Sequence, residues 1–118
     1  MTITATGGVS SVSVTSGAEV DLLATGASAS QGLAIPRAFS WTLTVTTTQD
    51  VTVRVYLSAG GNVGLAILSA ITSTATSAAP LVIQQSEYPA QRIRVTAQAA
   101  SATATVSADF IAQSSTVN

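Results

Sequence analysis

The clearest structural signal in the sequence lies in residues 38–57, AFSWTLTVTTTQDVTVRVYL. Apolar and polar residues alternate there with a period of two, the pattern of a β-strand with one buried face. The apolar members of the two runs are Phe39, Trp41, Leu43 and Val45, then Val51, Val53, Val55 and Leu57. Four polar residues, 47–50, separate the runs. A link of this length predicts a β-hairpin.

The same alternation continues outside this segment. It predicts strands at 92–97 and 102–111, joined by a second hairpin through 98–101. Weaker strand signals lie at 12–15, 19–24, 63–68 and 81–84. No segment has a sustained helical period. About eight short strands with turn residues between them predict an all-β fold, an antiparallel β-sandwich that is either a jelly roll or immunoglobulin-like.

The chain has 118 residues, which predicts a single β-sandwich domain over 1–118. The small, polar end segments 1–10 and 112–118 are interpreted either as frayed termini or as extended arms that add a strand to a neighbouring subunit. The first ten residues lack the basic and apolar regions of a signal peptide. The most apolar stretch, 63–71, is too short to cross a bilayer. We therefore expect synthesis in the cytoplasm and no membrane association.

Charged residues make up only 8% of the chain, and the formal net charge is −1. A typical soluble domain has roughly 25% charged residues. Either Ser and Thr hydroxyls keep a monomer soluble, or neighbouring molecules cover much of the surface. Near-zero net charge favours association, so we favour the second interpretation, a homo-oligomer or larger assembly.

The residue types present exclude most catalytic chemistry. The sequence contains no His, Cys or Lys, and without them the common nucleophile–base pairs, imine chemistry and zinc sites are unavailable. Glu19 and Asp21 are the one close acidic pair, but we interpret them as charges on a solvated strand edge rather than as a glycosidase pair. The sequence therefore predicts a protein that is not an enzyme, with no catalytic, metal-binding or cofactor-binding residues.

The arginines suggest a small surface patch. Arg54 and Tyr56 share the outward side of one predicted strand, and a second strand presents Arg92 and Arg94. Such residues either keep the sheet faces soluble or pair with carboxylates of a partner protein. A net-negative chain with four arginines does not favour nucleic acid as the partner. The candidate interface residues are Arg54, Tyr56, Tyr88, Arg92 and Arg94.

Trp41 is the single tryptophan and lies in the middle of the best-patterned strand. We expect it to be a core residue whose indole N–H donates a hydrogen bond to a carbonyl group, as buried tryptophans usually do.

Residues 38–57 and 87–109 (EYPAQRIRVTAQAASATATVSAD) together resemble small β-sandwich accessory proteins of bacteriophage virions. In that group, a hairpin rich in Thr and Val precedes a Tyr-Pro turn, which here is Tyr88–Pro89. An Arg-x-Arg-Val-Thr strand, here 92–96, then pairs with an Ala/Thr/Val strand, here 102–106. The resemblance covers about half of the chain and is a style of sequence rather than a signature motif.

The resemblance implies a capsid decoration or cement protein, typically a trimer on the outside of the phage head. Such a protein binds the major capsid protein or other virion proteins and stabilises the shell after synthesis in the host cytoplasm. A tail or spike-base location stays open. The alternative is a carbohydrate- or receptor-binding β-sandwich module of a phage tail, spike or cell surface, which would have exposed aromatic residues. A third interpretation is an ice- or surface-binding protein. It would need the triplet Thr-Leu-Thr, seen at 42–44, on several strands, and the sequence has one clear copy of it.

Overall fold

A computed structural model describes residues 2–23, 33–34, 40–58, 67–86 and 92–114. These residues form nine β-strands. The strands are β1 (Thr2–Val14), β2 (Val20–Asp21), β3 (Leu33–Ala34), β4 (Ser40–Thr47), β5 (Val51–Ser58), β6 (Ile67–Ala75), β7 (Leu81–Ser86), β8 (Arg92–Ala99) and β9 (Ala104–Ser114). In this part of the chain, no helix has the length and apolarity needed to span a bilayer.

The strands form two antiparallel sheets that enclose one core, so the predicted all-β sandwich is confirmed. Sheet A has the order β1-β9-β4-β7. Sheet B has the order β2-β8-β5-β6, and the short β3 also pairs with β8. The strand pairs are nested in sequence, as in one long antiparallel hairpin that folds over into two sheets: β1·β9, β2·β8, β4·β7 and β5·β6. This is the strand order of a jelly roll rather than of an immunoglobulin domain.

The two predicted hairpins are wrong. β4 and β5 belong to different sheets, and so do β8 and β9, so each link crosses the sandwich. The links lie side by side, because the Thr48 amide donates to the Thr105 carbonyl (3.1 Å) and the Ala100 amide to the Asp50 carbonyl (3.1 Å). Period-two alternation identifies the buried face of each strand. The same alternation occurs in strands that pair edge to edge and in strands that face each other across a core, so it does not show which strands are hydrogen-bonded partners.

The predicted inward faces are confirmed where the structure describes them. Trp41, Leu43 and Val45 of β4 are buried, as are the apolar positions of β5, β8 and β9. The Trp41 ring packs against Phe110, with 5.9 Å between ring centroids. Trp41 Nε1 is buried and has no hydrogen-bond partner in the described part of the chain, so the expected bond to a carbonyl group is not formed there. Sheet carbonyls point along the sheet toward neighbouring strands, whereas an inward side chain leaves the sheet at right angles.

Where they are described, the two end segments pair with each other in sheet A. Residues 2–10 belong to β1, which pairs with β9 of the same chain from Thr2↔Ser114 to Val14↔Ala104. Ala112, in the predicted C-terminal arm, is buried within β9. Residues 115–118 lie outside the described residues. The register of β1 shifts between Ile3 and Ala5 and again between Val9 and Val12.

Candidate functional site

The outer face of sheet B brings three of the predicted interface residues together. β5 and β8 are adjacent and antiparallel, with Tyr56 opposite Arg94 and Arg54 opposite Thr96. Side chains at these positions point away from the core because their neighbours Val53, Val55 and Val95 point into it. The patch expected from the sequence therefore exists for Arg54, Tyr56 and Arg94.

Of the other two predicted residues, the structure describes Arg92 alone. Arg92 is on β8, two residues from Arg94, and is half-buried in register with Ser58 and Ala34. Tyr88 lies outside the described residues.

The patch contains acidic residues that the sequence analysis did not place there. β2 forms the edge of sheet B beside β8, and it carries Asp21 directly after Glu19 and Val20. We call the resulting cluster the Glu19 network. Its members are Glu19, Asp21, Arg54, Tyr56, Arg94, Thr96 and Gln98.

One oxygen of Glu19 accepts hydrogen bonds from two other strands. Glu19 Oε1 accepts from Thr96 Oγ1 at 2.6 Å and from Tyr56 Oη at 3.0 Å. The same oxygen lies 3.5 Å from a guanidinium nitrogen of Arg54. Thr96 is completely buried although it faces outward, because these side chains cover it. The carboxylate thus links donors from β5 and β8.

Asp21 pairs with Arg94 at the other end of the network. Arg94 donates from Nε to Oδ1 at 2.7 Å and from Nη2 to Oδ2 at 3.4 Å, so the pair is bidentate. The two side chains are only 27% and 19% exposed, which reduces screening by water. The Arg94 guanidinium carbon also lies 6.0 Å from the centre of the Tyr56 ring. Two contacts therefore fix the orientation of Arg94.

Gln98 extends the network toward the β1–β2 link. Its side-chain oxygen accepts from Arg54 at 3.1 Å, and its side-chain nitrogen donates to the Ser16 carbonyl at 2.8 Å. The Ala99 amide donates to the Thr15 carbonyl at 3.0 Å. The link that carries Glu19 is thereby held against β8.

The surroundings within the network shift the pKa of Glu19, of Tyr56 and of Arg94. The bond from Thr96 is the main reason that the pKa of Glu19 is lowered; partial burial opposes the shift, and Tyr56 and the arginines add to it. Burial, followed by the bond to Glu19, raises the pKa of Tyr56. The hydrogen bond to Asp21 raises the pKa of Arg94. The network is therefore stabilised with Glu19 ionised and Tyr56 protonated.

Two carboxylates and two guanidinium groups compensate one another inside the network. Carboxylates of a partner protein were one expected counterpart of the arginines, but Arg54 and Arg94 meet Glu19 and Asp21 of their own chain. One signal for this was present in the sequence. The acidic residues are spaced two apart, as are Arg92 and Arg94, and such spacings fit neighbouring strands of one sheet.

The outer face of sheet A has a different character. In its ladder, Val82, Thr44 and Asp109 lie side by side, and Gln84, Thr42 and Ile111 form the next row. We call this surface the threonine face. We define it by nine residues of β4, β7 and β9, namely Thr42, Thr44, Thr46, Val82, Gln84, Thr105, Ser107, Asp109 and Ile111. Asp109 is the one charged side chain among them.

The described residues also include an open depression beside Gly7 and Gly8, lined in part by Leu23, Ala108 and Asp109. Within the described ranges, no group of three or more His, Cys, Asp or Glu side chains is placed to hold a metal ion.

Comparisons of the chain with protein-family models, with curated proteins and with solved structures found no match.

Proposed function

We propose that this chain is a non-enzymatic structural protein of a bacteriophage virion, a capsid decoration or cement protein that binds the head and stabilises it. The observation that carries the proposal is the distribution of charge between the two sheets. On the outer face of sheet B, the carboxylates of Glu19 and Asp21 pair with arginines of the same chain. The threonine face of sheet A carries one described charge, Asp109.

A sheet face of this kind suits packing against another protein. Burying a charge without a partner is costly, whereas hydroxyl groups exchange hydrogen bonds with water for hydrogen bonds with a neighbour at little net cost. Val82 and Ile111 add apolar surface to the same face. One such contact is small, but attachment through many copies raises the effective affinity.

The Glu19 network supports the same orientation. Its charged groups lie on the opposite side of the sandwich, where a decorating protein meets solvent. Charged side chains on an exposed sheet keep the surface soluble and discourage unwanted association. The two faces thus match the two environments of a protein bound to the outside of a shell.

The carbohydrate- or receptor-binding alternative gains no support from the described aromatic residues. Trp41 and Phe110 are buried in the core. The hydroxyl of Tyr56 is bonded to Glu19. A sugar-binding platform needs aromatic rings open to solvent, and these three rings are committed to contacts within the chain.

The location of the protein in particles tests the proposal. Phage particles from cells that carry the gene would be purified on a density gradient and labelled with gold-conjugated antibody against this chain. We expect labelled heads, and quantitative mass spectrometry should give many copies per particle. Label confined to tails would favour the receptor-binding alternative, and particles that lack the chain would refute a virion role.

A pair of variants tests which face makes the contact. Thr44→Lys places a charge in the middle of the threonine face, and Thr52→Lys places the same charge on the outer face of sheet B. Heads stripped of the protein should rebind the Thr52→Lys variant and the unmodified chain equally, and the Thr44→Lys variant at least tenfold more weakly. Equal binding of all three would contradict the assignment of the threonine face.

A further inference from the structure

β7 is an edge strand with one open side. In sheet A, six consecutive residue pairs join it to β4, from Ser40↔Ser86 to Val45↔Leu81, without a register shift. No described strand pairs with its other side. The backbone N–H and C=O groups on that side can accept a strand from another molecule.

β7 lacks the features that usually protect an edge strand. Its sequence, LVIQQS, has no charged residue and no proline, and charges, prolines and bulges are the common protections. The long edge strand β1 at the other side of sheet A has two register shifts. In sheet B, β2 is two residues long and carries Asp21, while the pairing of β6 shifts beside Ser58. Val82 of β7 is 54% exposed, the one large apolar side chain open to solvent among those whose exposure the structure describes.

We propose that β7 pairs with β7 of a second copy of this chain, antiparallel and around a two-fold axis centred on Ile83. Two copies bring identical uncharged strands together, so no like charges meet. In an antiparallel pair, opposite residues point to the same side of the sheet. A two-fold pairing therefore sets Val82 opposite Gln84 of the second copy and Ile83 opposite Ile83.

This register continues both surfaces of sheet A across the boundary. Ile83 is buried in the core, so the Ile83 residues of the two copies meet on the inner side of the sheet, and the register places the half-buried Leu81 of each copy opposite Gln85 of the other. On the outer side, Val82 is covered by the side chain of Gln84, and the two threonine faces join into one surface. A pairing of five residues buries less area than a stable dimer needs, so the contact is expected to be weak in dilute solution and to strengthen at high local concentration.

The pairing deepens the proposed function by naming one contact through which copies associate, but it does not require a virion role. It also makes a distinct claim about symmetry. A two-fold contact gives dimers, or assemblies that contain them, whereas the resemblance implies a trimer.

Disulfide trapping tests the register directly, because the chain contains no cysteine. Equal amounts of a Val82→Cys variant and a Gln84→Cys variant would be mixed at high concentration and oxidised. Directly opposed residues of an antiparallel pair lie within reach of a disulfide. In the proposed register, position 82 of one copy and position 82 of the other are diagonal neighbours, which are too far apart for a disulfide, and the same holds for position 84. We expect the mixed dimer to exceed each same-residue dimer severalfold. A Thr74→Cys variant, exposed on β6, gives the background.

The Val82→Lys variant supplies the complementary result. It should sediment as a monomer at concentrations where the unmodified chain forms dimers, with an unchanged circular dichroism spectrum, while Thr74→Lys behaves like the unmodified chain. Cross-linking no greater than the Thr74→Cys background, or a trimer that Val82→Lys leaves intact, would overturn the pairing. Either result would leave the virion proposal standing, because that proposal depends on particle location and on the threonine face.

Discussion

The carboxylate of Glu19 connects side chains from two strands that are far from Glu19 in sequence. Its hydrogen-bond partners Thr96 and Tyr56 lie on β8 and β5, and its ion-pair partner Arg54 also lies on β5. A single ionisable group therefore joins the β1–β2 link to the centre of sheet B. The contribution of that group to stability must depend on pH.

Stability should fall in acid partly because Glu19 becomes protonated. Its pKa is lowered in the folded state, so its contribution is present above the unfolded-state pKa and is lost as the pH falls through the folded-state pKa. Glu19→Gln should lower the free energy of unfolding at neutral pH and have no such effect in acid below the folded-state pKa. Urea unfolding across this pH range measures the difference.

A second variant separates this effect from general acid unfolding. Thr96→Val removes the main hydrogen bond that lowers the pKa of Glu19 and keeps a β-branched side chain. Carbon-detected NMR titration of the Glu19 carboxyl should then show a higher pKa than in the unmodified chain. An unchanged titration would contradict the role assigned to Thr96.

Trp41 should tolerate one substitution better than its burial suggests. Its indole Nε1 is buried without a hydrogen-bond partner, and an unpaired buried donor costs about 1–3 kcal/mol. Trp41→Phe removes that donor while it keeps an aromatic ring near Phe110. We expect a loss below about 1.5 kcal/mol, against about 3–5 kcal/mol for Trp41→Ala. Circular dichroism must follow unfolding, because the one fluorescent tryptophan is removed. Similar losses for the two variants would show that the donor is satisfied in solution.

At the scale of the strand, β1 depends on a close approach to β9. Gly8 lies opposite Asp109 with φ +145°, a conformation that L-residues rarely adopt. A Cβ atom at this position would overlap the carbonyl oxygen of Ala108. The glycine therefore permits the long edge strand to pair along its whole length.

Gly8→Ala should be strongly destabilising, by about 3 kcal/mol or more, because backbone strain and overlap with a carbonyl act together. Gly17→Ala is the matched control. It lies in the exposed β1–β2 link, where the nearest atom to an added Cβ is Thr15 Oγ1 at 3.9 Å, and it should change stability by less than about 0.5 kcal/mol. Thermal unfolding of both variants gives the comparison. A mild effect of Gly8→Ala would indicate that β1 pairs with β9 differently.

The elements show what the sequence could and could not predict. Alternation identified the buried faces of β4, β5, β8 and β9, because burial of one face is a local property of each strand. It did not identify residues 71–75 of β6 or the course of β1, where Ser, Thr, Gly and Ala give little contrast between faces. The partners of each strand depend on long-range topology, so both predicted hairpins failed.

The same division applies to the candidate site. The outward positions of Arg54, Tyr56 and Arg94 follow from alternation alone. Their pairing with Glu19 and Asp21 depends on β2 joining β8, a contact between residues more than seventy positions apart, and no local pattern encodes it.

At the scale of the whole molecule, the nested pairs join the two ends of the chain. Thr6 lies opposite Ile111 in the outermost pair, and Thr52 lies opposite Thr74 in the innermost pair. A disulfide at the first site closes a far longer loop than one at the second. Since the stabilisation grows with loop length, the Thr6→Cys, Ile111→Cys variant should gain about 1–1.5 kcal/mol more than the Thr52→Cys, Thr74→Cys variant.

Urea unfolding of both oxidised variants, each against its reduced form, measures this difference. Failure of the outer disulfide to form would contradict the β1·β9 register. An equal gain at the two sites would show that native-state strain, rather than loop length, governs the effect.

The scarcity of charge on the threonine face has a consequence for how the proposed contact responds to its surroundings. In the proposed contact, a neighbour on the threonine face would displace water from hydroxyl and methyl groups and release almost no counterions. The strength of such a contact should therefore change little with ionic strength, because there is little charge to screen. It should weaken on cooling, as contacts driven by the release of water from apolar surface do.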